Sequence, residues 1–111
     1  MEQQTRGLGI GNAIHAAKNG QRIAREGWHE KGLFVFMQVP SEIDKAIVPN
    51  MQSLPQQVKD EFIRRFNSPK EFQVSAIYYY HQMCIVNSSN LICGWAPSVI
   101  DALENDWMIL D

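Results

Sequence analysis

The chain has 111 residues, 45% of them hydrophobic, which suits one small core and a single domain over 1–111. Ten Lys and Arg against twelve Asp and Glu give a net charge of −2. General attraction to DNA or RNA is therefore excluded, and an anionic ligand would depend on a few aimed cations or backbone N–H groups. No unbroken apolar stretch is longer than 33–37, and Met1-Glu2-Gln3-Gln4-Thr5-Arg6 carries no apolar run of signal type, so a soluble protein without a membrane partner is expected.

Ile10, Ala13, Ile14 and Ala17 recur at helical spacing and Gly20 stands at a C-terminal cap position, predicting a short amphipathic helix over 9–19. A short strand follows over 21–25, closed by Gly27. Residues 33–39 form the clearest strand, aromatic and apolar until Pro40 stops it. Ser41-Glu42-Ile43-Asp44 has the Ser-x-x-acid form of a helix start, which predicts one or two helical turns over 41–47. Pro55 opens a second helix over 55–66, with Val58, Phe62, Ile63 and Phe66 as its apolar stripe, ended by Asn67-Ser68-Pro69.

Beyond it, 72–80 and 82–86 read as strands, Asn87-Ser88-Ser89-Asn90 as a turn and Leu91-Ile92-Cys93 as the returning strand. A last short helix over 98–104 and a terminal strand over 107–110 complete an α+β domain with a mainly antiparallel sheet and short helices.

Few motifs carry chemistry. Gly7-x-Gly9-x-Gly11 lacks a preceding strand and the spacing of a dinucleotide loop, and reads as a flexible N-terminal lead-in. His29, His81, Cys84 and Cys93 could be drawn together as metal ligands. A hairpin centred on Ser88-Ser89, however, sets Cys84 opposite Cys93 as two packed thiols. No metal and no other cofactor is expected, and no serine sits in a nucleophile elbow.

The tryptophans are more informative. Trp107 lies in an apolar strand and reads as core. Trp28 and Trp95 sit at glycine-bearing strand ends, where an indole serves either the core or a ligand's base, with Arg25 near the phosphates. Ser98 and Asp101 have the same ambiguity. A Ser-x-x-Asp step is explained by helix capping, and alternatively offers polar contacts to a ribose or phosphate.

Two blocks read together carry a resemblance. One runs Ile10-Gly11-Asn12-Ala13-Ile14, Lys18-Asn19-Gly20, Arg22-Ile23-Ala24-Arg25-Glu26-Gly27-Trp28 and Lys31-Gly32-Leu33-Phe34-Val35-Phe36. The other is Trp95-Ala96-Pro97-Ser98 with Asp101, Leu103 and Asp106-Trp107. The pattern resembles the second Thoeris anti-defence family, small phage proteins that act as sponges. The resemblance implies a non-enzymatic protein of the host bacterial cytoplasm that captures a small-molecule cyclic nucleotide signal, glyco-cyclic ADP-ribose, and keeps it from the defence effector. It also implies a homotetramer with ligand pockets between protomers and, for some members, cyclic dinucleotides bound at separate sites. Carried onto this sequence, it makes Trp28 and Trp95 base-stacking or pocket-wall residues and Ser98 and Asp101 polar contacts. Arg25 becomes a candidate cation and Phe36 a pocket wall. The alternatives are an enzyme that degrades the nucleotide and a protein-interaction inhibitor of a host defence protein.

Overall fold

Ala13, Ala16 and Ala17 are all buried on one side of the first helix, α1 (Ile10–Lys18), and their small side chains let the helix lie close to a sheet. Its end is fixed by backbone chemistry. Gly20 takes φ +91°, its N–H donates to the Ala17 carbonyl and the Gln21 N–H donates to the Ala16 carbonyl, a Schellman closure that a residue with a Cβ would strain.

This computed structural model describes residues 4–111, so Met1, Glu2 and Gln3 of the N-terminal reading lie outside the described residues. The chain is α+β with antiparallel pairing throughout, in two compact units. One unit comprises the residues up to Gln38 and those from His81 onward; the other is Val39–Tyr80. Among the described residues no helix is long and apolar enough to cross a membrane.

The first unit holds a five-stranded sheet built from β1 (Arg22–Arg25), β2 (Phe34–Met37), β5 (Met83–Val86), β6 (Ile92–Gly94) and β7 (Trp107–Leu110), in the order β6-β5-β2-β1-β7. Ile23, Val35, Trp107 and Ile109 project from one face of this sheet and pack with Leu8, Ala13, Ala16 and Ala17 into the core. Strand alternation sends Phe34 and Phe36 to the other face, where their rings lie 6.4 Å apart and Arg22 stacks over Phe34. The lead-in segment is held too, because Leu8 and Trp107 exchange backbone hydrogen bonds of 2.9 and 3.0 Å.

The β5–β6 hairpin corrects the expected register. Cys84 faces Gly94, and Cys93 faces Ile85. The cause is Asn90 at φ +61°, a left-handed residue that makes Ser88, Ser89 and Asn90 a three-residue loop instead of a two-residue one. The Asn87 carboxamide oxygen accepts from the N–H groups of Ser89 and Leu91 and holds the loop. A one-residue slip puts the two thiols on opposite faces, Cys84 buried and Cys93 exposed. Burial, with a smaller contribution from Cys93, pushes the Cys84 thiol up from its ordinary pKa. Titration with a thiol reagent at pH 8 is expected to label Cys93 promptly and Cys84 only on unfolding; equal rates would contradict this placement.

The second unit pairs β3 (Ser41–Asp44) with β4 (Ala76–Tyr79), which corrects the helical turn expected over 41–47. The Asp44 carboxylate does not cap a helix at Ser41. It accepts from the Ala46 N–H at 3.0 Å, closing a turn at the end of the strand. Only Ala76–Tyr79 of the long strand expected over 72–80 is extended in a ladder. Helix α2 (Gln56–Phe66) forms as the spacing predicts, with Pro55 at its N-cap and Asn67 at its C-cap, but none of its residues is fully buried. Its solvent face is tied by Glu61, which accepts from Arg64 and Arg65. Those two hydrogen bonds hold the Glu61 carboxyl down at about 2. Val48, Ala76 and Ile77 are the buried hydrophobics of this unit.

Candidate functional site

Gly27 at φ +89° turns the chain out of β1 and aims Trp28 back at the sheet. The turn is folded around this residue. Trp28 donates its backbone N–H to the Arg25 carbonyl, and its own carbonyl accepts from Lys31 and Leu33. Trp95 arrives from the end of β6, where its N–H extends the ladder to the Met83 carbonyl at 2.9 Å. Trp107 opens β7 directly opposite Arg25.

The three indoles meet. Trp28 and Trp95 lie 5.3 and 5.8 Å from Trp107, centroid to centroid, and 6.4 Å from each other, all edge to face. This is the geometry favoured by ring quadrupoles. Trp107 is fully buried, whereas Trp28 and Trp95 are half-buried and pack against the core from outside. Trp107 therefore supports two indoles that remain partly exposed.

Beside them stands α3 (Val99–Leu103), a five-residue helix begun by a complete capping box. The Ser98 hydroxyl accepts from the Asp101 N–H at 3.1 Å, and an Asp101 carboxylate oxygen accepts from the Ser98 N–H at 3.0 Å. So short a helix would not form by propensity; side chains from elsewhere hold it. The Trp107 indole N–H donates to the Asp101 carbonyl at 2.8 Å. Arg25 donates to Asp101 at 3.1 Å and forks onto both oxygens of Asp106 at 2.9 and 3.0 Å.

One guanidinium thus faces two carboxylates, and the cluster carries net negative charge. The Arg25 side chain is 18% exposed, Asp101 13% and Asp106 30%, so these pairs are better shielded than ordinary surface salt bridges. Hydrogen bonding to Arg25 holds the Asp106 carboxyl below its usual range, against burial. For Asp101 burial works upward, but hydrogen bonds with Ser98 and Arg25 outweigh it and the net shift is also downward.

At a pH between these lowered values and 3.8 the unfolded chain binds more protons than the folded one, so stability rises with pH there. The thermal midpoint is expected to be flat from pH 7 to 5 and to fall as pH drops below 3.8. The fall should be shallower in Asp106→Asn. An identical profile in that variant would show that the pair does not contribute.

Five of the six residues singled out in the sequence come together: Arg25, Trp28, Trp95, Ser98 and Asp101 form one connected neighbourhood. Phe36 does not join them, because it projects from the other face of the sheet, opposite Cys84. Asp106 was not singled out, although it is the main partner of Arg25. Its signal was the antiparallel pairing of 22–25 with 107–110, which places the residue before Trp107 beside Arg25. The suggested metal set does not assemble from the thiols, which point to opposite faces; the His29 side chain lies outside what is described.

Each unit also has concave surface, including a small cavity of about 140 Å³ that Asp106 lines with Arg6 and Glu26. An apolar groove of about 280 Å³ in the Val39–Tyr80 unit is lined by Leu54, Phe62, Phe66, Ile77 and Tyr79 together with Arg65. It has few polar groups to orient a ligand, and its one cation is already paired with Glu61. A cleft of about 250 Å³ beside α1 has the opposite character, lined by Asn12, His15, Asn19 and Gln21. The indole cluster combines flat aromatic surface with converging polar groups.

Residues 8–110 match the family model of the Thoeris anti-defense 2-like domain. The chain is also 24% identical over 103 residues to Thoeris anti-defense 2 of Bacillus phage SP01, covering 93% of this chain and 94% of that protein. The matched span contains every element of the fold and the whole indole cluster, from Leu8 at one edge of β7 to Leu110 at its end. The chain belongs to the Thoeris anti-defense 2-like family.

Proposed function

We propose that this protein is a phage anti-defence sponge that binds a cyclic ADP-ribose-type signal, glyco-cyclic ADP-ribose, and withholds it from the bacterial effector without altering it. The observation that carries this reading is the Trp28–Trp95 pair, half-buried on a buried Trp107 beside the capped start of α3, in a chain of this family. Two indoles held by a third lose little further freedom when a base stacks on them, which keeps the ordering cost of binding low. Ser98 and Asp101 supply hydrogen-bonding groups next to the aromatic surface. Both carboxyls at the site are hydrogen-bonded and held ionised, unlike a general acid or base tuned toward neutrality. This favours capture over turnover.

The net negative charge of the cluster requires that the ligand's phosphates be met by other groups. A pocket completed by a second copy supplies them, and a homotetramer acting in the host cytoplasm is part of the proposal. The outer face of α3 suits such an assembly. Val99, Ile100 and Leu103 are 75, 63 and 73% exposed, an apolar surface on a helix with no buried residue of its own. Leu103→Glu is expected to change monomer stability by no more than about 0.5 kcal/mol. In light scattering it should lower the particle mass, and ligand affinity should fall with it. An unchanged mass would place the interface elsewhere.

The direct test is calorimetry with glyco-cyclic ADP-ribose, followed by heat denaturation and analysis of the released nucleotide. Sequestration calls for nanomolar binding, roughly −12 kcal/mol, and recovery of the intact ligand. A new product would make the protein a nucleotide-degrading enzyme. Absence of binding, with defence still blocked in cells, would favour a protein-interaction inhibitor.

A further inference from the structure

The sequence offers Arg25 as a cation for the ligand's phosphates, but the structure gives it another set of partners. Its Nε and Nη2 groups donate to the two oxygens of Asp106, and its Nη1 group donates to Asp101. Three of the five N–H donors of the guanidinium are thereby committed, and the two carboxylates together outweigh its charge.

We propose that Arg25 and Asp106 form a positioning clamp that sets the placement of Trp28 and Trp95, so that Arg25 acts on the ligand through the indoles and not by pairing with phosphate. The inference rests on the reading of those two indoles as the ligand's stacking surface.

The connections are short. The Arg25 carbonyl accepts the Trp28 N–H at 3.0 Å. Its guanidinium holds Asp101, whose carboxylate caps Ser98, three residues beyond Trp95. The Asp101 carbonyl in turn holds the indole N–H of Trp107, the ring on which both other indoles pack. Asp106 completes the loop, since its carbonyl accepts the Glu26 N–H at 2.9 Å, between Arg25 and the Gly27 turn. A single side chain therefore links the segment entering Trp28, the segment leaving Trp95 and the start of β7.

The chemistry demands arginine. Two parallel bonds to one carboxylate and a third in another direction need the planar fork. A lysine ammonium keeps the charge without that geometry.

Charge-keeping and charge-freeing variants separate the two roles. R25K, R25Q and D106N are compared by calorimetry with glyco-cyclic ADP-ribose at 50 and 200 mM salt. In parallel, near-UV circular dichroism and exchange of the Trp107 indole proton are measured without ligand. If the clamp positions the indoles, R25K loses affinity about as far as R25Q, on the order of tenfold. D106N then also binds more weakly, although it removes a negative charge. The salt dependence stays that of the wild type, and in the ligand-free proteins the tryptophan dichroism falls and the indole proton exchanges faster.

Full affinity in R25K, tighter binding in D106N, or a flatter salt dependence in R25Q would make Arg25 a phosphate contact and overturn the proposal. Should the wild-type protein fail to bind glyco-cyclic ADP-ribose, the ligand reading falls by itself. The ligand-free signals of R25K and D106N still decide the clamp, and unchanged spectra and exchange in both would refute it. D106N retains the size and shape of the side chain, so it keeps the test open where R25Q does not fold.

Discussion

Replacing Trp107 with alanine is expected to cost about 3–5 kcal/mol of folding stability, the range for emptying a buried aromatic site. The side chain is fully buried among Leu8, Ala13, Ala16, Ala17, Ile23 and Ile109. The alanines that face it from α1 carry one methyl each and leave most of the space unfilled. The loss also removes the donor to the Asp101 carbonyl and the ring that supports Trp28 and Trp95. A domain of this size has about 5–15 kcal/mol in total, so much of the margin goes with one residue. In urea, where small proteins lose about 1–3 kcal/mol per molar, the unfolding midpoint should fall by roughly 2 M. Trp107→Phe keeps most of the ring volume but not the N–H, and should cost about 1–2 kcal/mol. A loss below about 1 kcal/mol for the alanine variant would show that Trp107 does not support this core.

The local signals in the sequence worked where the chain decides its own conformation. Gly20 ended α1 through a left-handed backbone, Pro55 opened α2, and Ser98 with Asp101 formed the capping box that their spacing allows. The same type of signal misled at Ser41 and Asp44. Pairing with Ala76–Tyr79 offered those residues a ladder of backbone bonds, and a tertiary contact outweighed a local cap. The hairpin register failed on one residue. Asn90 takes a left-handed conformation that asparagine tolerates but does not announce, and the slip separates Cys84 from Cys93.

For the site, the aromatic and capping residues were visible as types, while their partnerships were not. Arg25 and Asp106 are 81 positions apart, and only the β1–β7 pairing brings them together. An arginine read alone looks like a free cation. Read with Asp101 and Asp106, it is an internal strut. Phe36 shows the converse limit: its place in an aromatic strand made it a plausible wall, but alternation along β2 puts it on the face away from the indoles.

Trp28→Ala and Trp95→Ala should each weaken nucleotide binding by about 1–3 kcal/mol, the worth of one base–aromatic stack and roughly five- to 150-fold in affinity. The two rings are only 6.4 Å apart and both pack on Trp107, so a base stacked on one would lie beside the other. The double variant should lose less than the sum of the singles, because the second ring cannot hold a base already freed by the loss of the first. Both side chains are half-buried on Trp107, and the stability cost should be well below that of Trp107→Ala, near 1–2 kcal/mol each. Binding and folding therefore separate: the Trp28 and Trp95 variants fold and bind poorly, whereas the Trp107 variant loses both. Phenylalanine at either position retains a π face and should recover part of the affinity. Calorimetry on the three folded proteins, with near-UV dichroism as a check on packing, distinguishes the cases. Wild-type affinity in the folded double variant would move the ligand away from the indoles. Defence inhibition that survives without that affinity would then point to a protein surface as the working part of the molecule.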